Sequence, residues 1–272
     1  MSDNPLLMKS RLPGAKFQLP SQGQFYNNGE LAPQVRNGEV HVYPMTAYDE
    51  ILLKTPDLLL SGEAIEKVFK RCIPDILDPL SLFSGDIDFL TVCLRSVSFG
   101  AEVDIKHNHL CSDTATAHDY VISINDFVQR TKMIDPTTLM QQYTCKMTGG
   151  LIVHFTPIRY RALVDMMNAD TPDTYTPEQI HDKSSRQLAS LVSKIIVPPN
   201  KDIPDDQTQI VTNQEMIIEW IQSLPISEIK LINKTMDSMS DWGTDLNYEV
   251  TCKDCNQKTK VRVPLNPISF FM

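Results

Sequence analysis

Apolar positions along the chain change period repeatedly, and each change predicts a change of element. Over residues 46–100 they recur at i, i+3, i+4 and i+7, the stripe of short amphipathic helices. Thr46 is placed to cap Ala47 to Lys54, with Asp49 and Glu50 in the first turn and a lysine in the last. Ser61 is placed to cap Gly62 to Cys72, whose inner stripe is Ile65, Val68, Phe69 and Cys72. Ser84-Gly85-Asp86 introduces a third helix with Phe89, Leu90, Cys93, Leu94 and Val97 turned inward. Asp86 and Asp88 then face away from that stripe as first-turn acids.

From Ala101 the period shortens to two. Val103 and Ile105 alternate with charged residues, His107 to Ala117 reads as a turn-rich loop, and Tyr120 to Ile124 resumes the alternation, which predicts a hairpin with a long connection. A second strand pair spans Leu139 to Met147 and Leu151 to Phe155, closed by Thr148-Gly149-Gly150. Pro157 opens a helix over Ile158 to Asn168, and Thr171 to Pro177 is a hinge-like turn segment. Glu178 to Val197 reads as one longer helix stopped by Pro198-Pro199, and Lys201 to Gln209 as an exposed loop. Asn213 caps a helix over Gln214 to Leu224, and Pro225 opens another from Ile226 to Met239. A last hairpin pairs Asn247 to Thr251 with Thr259 to Val263, ahead of the apolar Ile268-Ser269-Phe270-Phe271-Met272.

The first 45 residues lack helical periodicity and carry Pro5, Pro13, Pro20, Pro33 and Pro44. The fold class expected is therefore α+β: a helical core, two β-hairpins and an extended Pro-rich N-terminal arm. Its regions are the arm (1–45), a helical stretch (46–100), hairpins plus a helix (101–170), a second helical stretch (171–245), and a C-terminal hairpin (246–272) packing against 101–125. The arm packs on its own domain or clasps a partner. The arm and the apolar tail are the segments expected to meet partners, though a tail such as Phe270-Phe271-Met272 fits burial in its own domain equally well.

Composition narrows the partner. With 42% hydrophobic residues and 22% charged ones, a packed core is expected. A net charge of -9 argues against nucleic acid, because neutralising phosphates requires a surplus of Lys and Arg. The balance favours protein partners. No stretch reaches the ~20 apolar residues of a membrane span, and Met1-Ser2-Asp3-Asn4 lacks the layout of a signal peptide. Six cysteines, unevenly spread, fit a reducing compartment better than a disulfide scaffold.

Two of those cysteines carry the chain's clearest chemical motif. Cys252-x-x-Cys255 sits between the last two strands, where two thiolates at a hairpin tip can face one ion. No helix pattern follows, as a redox Cys-x-x-Cys would need. A tetrahedral zinc needs more donors, and the first hairpin offers Cys111 with His109, or His107 as the alternative, for a Cys3His sphere. The two hairpins would then form a degenerate repeat, a zinc-ribbon-like module holding a structural zinc. The plain alternative is a surface loop with two histidines and a cysteine. A metal-dependent hydrolase would need an open metal position and a general base such as Glu102 or Asp104.

With these residues in view a resemblance can be named. Leu19-Pro20-Ser21-Gln22-Gly23-Gln24-Phe25-Tyr26, Asn37 to Met45 and Asp49 to Asp57 resemble the opening of the T-even-type phage baseplate proteins. Ser61-Gly62-Glu63-Ala64, Cys72-Ile73-Pro74, Asp86-Ile87-Asp88-Phe89-Leu90 and the Cys252-x-x-Cys255 ending fit as well. The likeness is strongest over 17–100. It implies a non-enzymatic structural or assembly protein of the baseplate hub of a contractile-tailed phage. Its partners would be other baseplate and hub proteins, and its place the virion tail baseplate, or the host cytoplasm during assembly. An assembly chaperone that leaves before maturation is the alternative. The resemblance also implies paired Cys-x-x-Cys knuckles, from which His107/His109/Cys111 departs.

Overall fold

The structure is a computed structural model. It describes residues 14–35, 37–111, 114–139, 143–168, 176–199, 207–239, 242–265 and 270–271; for 109–111, 114–116 and 167 it describes the backbone alone. The chain divides into two compact units. Unit 1 combines Met1–Met133 with Trp242–Met272, and unit 2 is the intervening Ile134–Asp241.

Unit 1 starts with two short strands, β1 (Ala15–Gln18) and β2 (Glu39–Val42), paired antiparallel from Ala15 opposite Val42 to Gln18 opposite Glu39. The expected arm is packed on its own unit over the residues described. Val40 and Val42 are fully buried, Ala32 donates its backbone N–H to Asp75 O, and Tyr43 donates to Cys72 O. Residues 1–13 of that arm lie outside the described residues.

Three helices follow: α1 (Ala47–Leu53), α2 (Pro56–Leu60) and α3 (Glu63–Cys72). The cap at Thr46 works through Asp49, whose carboxylate accepts from the Thr46 N–H and hydroxyl at 2.8 and 2.7 Å. Asp49 is buried, and its other oxygen takes the Arg71 Nε–H at 2.6 Å, which ties α1 to α3. On α3 the predicted stripe is the buried one: Ala64, Ile65, Val68, Phe69 and Cys72. Gly62, with φ 78°, supplies the left-handed turn that starts it.

The centre of unit 1 is α4 (Ser84–Phe99), buried nearly all round through Phe89, Leu90, Thr91, Val92, Cys93 and Leu94. Its glycine is a packing requirement. A Cβ on Gly85 would lie 2.9 Å from a carbon of the Trp242 ring. Gly85→Ala is expected to cost about 1–3 kcal/mol by overpacking. The readout is a lower urea midpoint at unchanged slope; an unchanged midpoint would mean the indole moves aside without strain.

After Gly100 comes a long hairpin, β3 (Glu102–Cys111) and β4 (Thr114–Ser123), paired in register from Glu102 opposite Ser123 to Cys111 opposite Thr114. The long loop expected over His107 to Ala117 is therefore strand at every described position, residues 112–113 lying outside them. Polar Thr and His tolerate a half-solvated strand, so turn-rich composition misled there. Helix α5 (Ile124–Arg130) follows directly. The closing hairpin is β9 (Asn247–Thr251) with β10 (Lys258–Arg262). Its five residue pairs against ten in β3–β4 make the two hairpins unequal.

Of the apolar tail the structure describes Phe270 and Phe271, and these take the buried one of its two expected roles. Phe270 and Phe271 are buried, with Phe271 against Phe99. The buried Arg95 of α4 donates from Nε to Phe270 O at 2.9 Å and from Nη2 to Glu102 O at 3.2 Å.

Unit 2 is built on a four-stranded antiparallel sheet in sequence order: β5 (Thr144–Lys146), β6 (Ile152–Phe155), β7 (Val192–Val197) and β8 (Gln209–Val211). Gly149 and Gly150, both left-handed, turn β5 into β6 as expected. Helix α6 (Tyr160–Asn168) follows, then α7 (Pro177–Ser190), capped reciprocally by Thr176 and Gln179. The predicted helix to Val197 thus ends at Ser190, and Val192-Ser193-Lys194-Ile195-Ile196-Val197 is an inner strand. Its four β-branched residues carry the preference for the sheet. Asn213 caps α8 (Gln214–Gln222), accepting from Met216 N–H, and α9 (Ile226–Met239) follows. Most of the hinge-like segment and of the exposed loop, residues 171–175 and 200–206, lies outside the described residues.

Candidate functional site

The inner face of β3–β4 changes chemistry along its length. Near the base it is aliphatic, with Val103, Ile105 and Ile122 buried. Two residue pairs further on it carries Tyr120, and then His107 directly opposite His118. Glu102 and Asp104, which a hydrolase reading would use as general base, are exposed.

Against the polar end of this face sits the knuckle between β9 and β10. Cys252 N–H donates to Gln257 O at 2.9 Å and Asn256 N–H to Cys252 O at 3.0 Å, and Asn256 is left-handed at φ 57°. This tight loop turns Cys252 inward, where it is buried, and leaves Cys255 exposed. Lys253 pins the loop to β4, donating from Nζ to Asp119 O at 2.7 Å with its ammonium 5.5 Å from the Tyr120 ring centre. Asp254 reaches His118, with Oδ2 2.8 Å from Nε2. The donor atoms of His118, Cys252 and Asp254 all lie within 4.8 Å of one another.

Helix α5 anchors the rest of the closing hairpin. Tyr248 donates its hydroxyl to Asp126 Oδ2 at 3.2 Å, and Arg130 donates from Nη1 to Asn247 O at 3.1 Å. The Arg130 guanidinium lies 5.2 Å from the Phe127 ring centre and 5.6 Å from that of Tyr248. Burial, then the nearby Asp126 carboxylate, raises the Tyr248 hydroxyl pKa.

Of the residues the sequence singled out for metal, the structure sets Cys252 in a three-donor cluster and Cys255 on the exposed side of the turn. His107 is half-buried directly opposite His118 of the cluster, and among the described residues its Nε2 is buried without a hydrogen-bond partner. His109 and Cys111 lie on the far end of β3, and their side chains are outside the described residues. His118 and Asp254 were missed as donors. The register would have revealed His118: once Cys111 is set opposite Thr114, positions 107 and 118 must pair.

A second polar site lies elsewhere in unit 1, an open cavity of about 420 Å³ lined by Lys16, Gln34, Asn37, Glu39, His41 and Asp75. Asp75 is its organiser, accepting from His41 N–H at 2.8 Å and Gln34 Nε2 at 3.1 Å, with His41 Nδ1 also 2.8 Å away. Burial pushes the Asp75 carboxyl pKa up, but these partners outweigh it and the net shift is downward.

Asp86 corrects another expectation. It is fully buried in the first turn of α4 rather than turned to solvent. Its carboxylate accepts from Ser21 N–H at 3.0 Å and from the Tyr26 hydroxyl at 2.6 Å, and that hydroxyl accepts from Phe83 N–H at 3.1 Å. Burial, opposed by these donors, raises its pKa to about 6.

Small antiparallel sheets joined by short helices, with a cysteine turn docked on a long hairpin, define an α+β protein whose polar groups hold elements together. The chain belongs to the T4 bacteriophage base plate protein family, whose model matches residues 13–272. Comparison with curated proteins and with solved structures gives no significant match. Membership makes other phage baseplate proteins its partners and the virion tail baseplate its location. Among the described residues no helix is long and apolar enough to cross a membrane.

Proposed function

We propose that the chain is a non-enzymatic structural or assembly protein of the baseplate hub region, acting through protein–protein contacts. The observation that carries this reading is the family match along 13–272, supported by the resemblance of residues 17–100 to T-even-type baseplate proteins, which implies the hub region. The surface of α1 supports it. Tyr48 and Ile51, one helical turn apart, are 56% and 61% exposed, and Leu60 at the end of α2 is 55% exposed. Apolar side chains grouped on a surface helix are suited to a protein partner. Tyr48 is held in place by the Arg71 guanidinium, 5.2 Å from its ring centre.

Mass spectrometry of purified particles, paired with a deletion and complementation assay, tests the proposal. A component of the hub is retained in mature tails, and its deletion stops baseplate formation. A chain required for assembly yet absent from mature particles would instead be the helper. A chain whose deletion leaves tails intact would overturn both readings. In complementation, Tyr48→Ser with Ile51→Ser is expected to fold normally and to fail to restore baseplates.

A further inference from the structure

We propose that His118, Cys252 and Asp254 form a binding site for a zinc-class divalent cation that clips the β9–β10 knuckle onto the β3–β4 hairpin. The site is separate from the hub reading and stands whether or not that reading holds. Three donors of different kinds, an imidazole nitrogen, a thiol sulfur and a carboxylate oxygen, converge within 4.8 Å from two hairpins more than 130 positions apart in the chain. Zinc bonds of roughly 2.0–2.3 Å to such atoms place tetrahedral neighbours about 3.3–3.8 Å apart, so only small side-chain shifts are needed. The donor set selects the ion, because thiolate and imidazole suit a borderline-soft metal and not calcium or magnesium.

The hydrogen bond between His118 Nε2 and Asp254 Oδ2 shows that both groups already face the same point. A cation would replace the shared proton. Burial is graded across the site: Cys252 is buried, the His118 side chain is 12% exposed and that of Asp254 49% exposed, which leaves an entry path on the aspartate side.

A second observation points to a ligand at this place. His107, directly cross-strand from His118, has its Nε2 buried with no hydrogen-bond partner. Buried polar atoms are nearly always satisfied, so an orphaned ring nitrogen on the residue paired with His118 points to a ligand at this end of the hairpin face, although His107 is not one of the three convergent donors. The sulfur is held independently of any ion, since the 252–257 turn and the Lys253 contacts to β4 fix its loop.

The test uses the full chain, stripped with a chelator and titrated with Co²⁺, whose thiolate charge-transfer and tetrahedral bands report ligand identity. One equivalent is expected to bind, to show a thiolate band, and to be displaced by Zn²⁺. Cys252→Ser is expected to abolish the thiolate band. His118→Ala and Asp254→Ala are each expected to weaken binding by about a hundredfold, since even supporting groups around a metal are worth 10–100-fold. His118→Cys guards against simple misfolding: it is expected to keep the ion and to intensify the thiolate band. A stripped chain that takes up no Co²⁺ overturns the proposal. So does a His118→Ala or Asp254→Ala chain that binds like the parent.

Discussion

Asp86→Leu is expected to destabilise unit 1 by roughly 3–5 kcal/mol, because it removes a buried acceptor held by donors from Ser21 and Tyr26, each of which carries a desolvation cost of about 1–3 kcal/mol when its bond is lost. The donors include Ser21 N–H and the Tyr26 hydroxyl, at 3.0 and 2.6 Å, and the Ser21 side chain. They belong to a loop in which Gln22 and Phe25 hold left-handed backbones at φ 53° and 65°, conformations that side chains with a Cβ rarely adopt. Without the carboxylate that strain loses its anchor, and Tyr26 loses the partner that orients it against Phe83, whose ring centre is 4.7 Å away. A chemical-denaturation midpoint close to that of the parent would refute the assignment.

Asp86→Asn separates the hydrogen bonds from the charge. The folded-state pKa, at about 6, stands above the ordinary aspartate value of about 3.9. The folded protein therefore binds a proton that the unfolded chain has already lost, and the charged carboxylate opposes folding at neutral pH. On this group's account stability rises as pH falls from above 6 toward 4, by roughly 1.4 kcal/mol between pH 7.5 and pH 5. Asp88, raised to about 6 by burial with Arg262 pulling the other way, adds to the same trend. His154 in unit 2 has the opposite sign. Burial, then Lys194, lowers its pKa, so its contribution is lost as pH falls below the ordinary histidine range. The clean measurement is thus the difference between parent and Asp86→Asn across that window. A difference that does not vary with pH would rule out the buried-acid account.

Arg95→Ala is the second large effect, expected at roughly 3–5 kcal/mol. Truncation leaves Phe270 O and Glu102 O without their donor and opens a void where the guanidinium lies 4.9 Å from the Phe99 ring centre. Burial lowers the Arg95 pKa, with Asp104 opposing, so the side chain is a costly group to keep inside and its value lies in the two carbonyls it joins. The specific sign is location. Amide exchange should accelerate at Phe270 and Phe271 more than in α1 or α3. A uniform loss across unit 1 would mean that Arg95 fills space and does not fasten the tail.

What could be read from the chain alone follows from how local each signal was. Helices α3, α4, α8 and α9 declare themselves through signals local to each segment, and α8 also through its Asn213 cap; the cap expected at Ser61 is instead the left-handed Gly62. The β5–β6 turn declares itself through its glycine pair. The strand at Val192–Val197 did not, because an apolar run after a helix has no periodicity of its own and its neighbours in the sheet are Ile152–Phe155 and Gln209–Val211. Asp86 misled for a related reason. An acid in a first helical turn is ordinary at the surface, and the partners that bury this one are Ser21 and Tyr26, about 60 positions upstream. The knuckle was half legible: the cysteine spacing is local, whereas His118 is brought to it only by the register of a hairpin whose strands looked like loop.

The division of unit 1 across the chain bears on the order of synthesis. Lys132 and Gly243 meet as a backbone bridge, each donating its N–H to the other's carbonyl at 3.0 and 2.8 Å. That bridge closes only after residue 243 has left the ribosome. Unit 2 is contiguous and can fold as it emerges, while the first 133 residues wait for the strands that cover the β3–β4 face and for the phenylalanines that cap α4. During translation the nascent chain therefore passes through a stage with a finished insert and an unfinished host. In that interval apolar surface is open to capture by a chaperone or by a neighbouring chain.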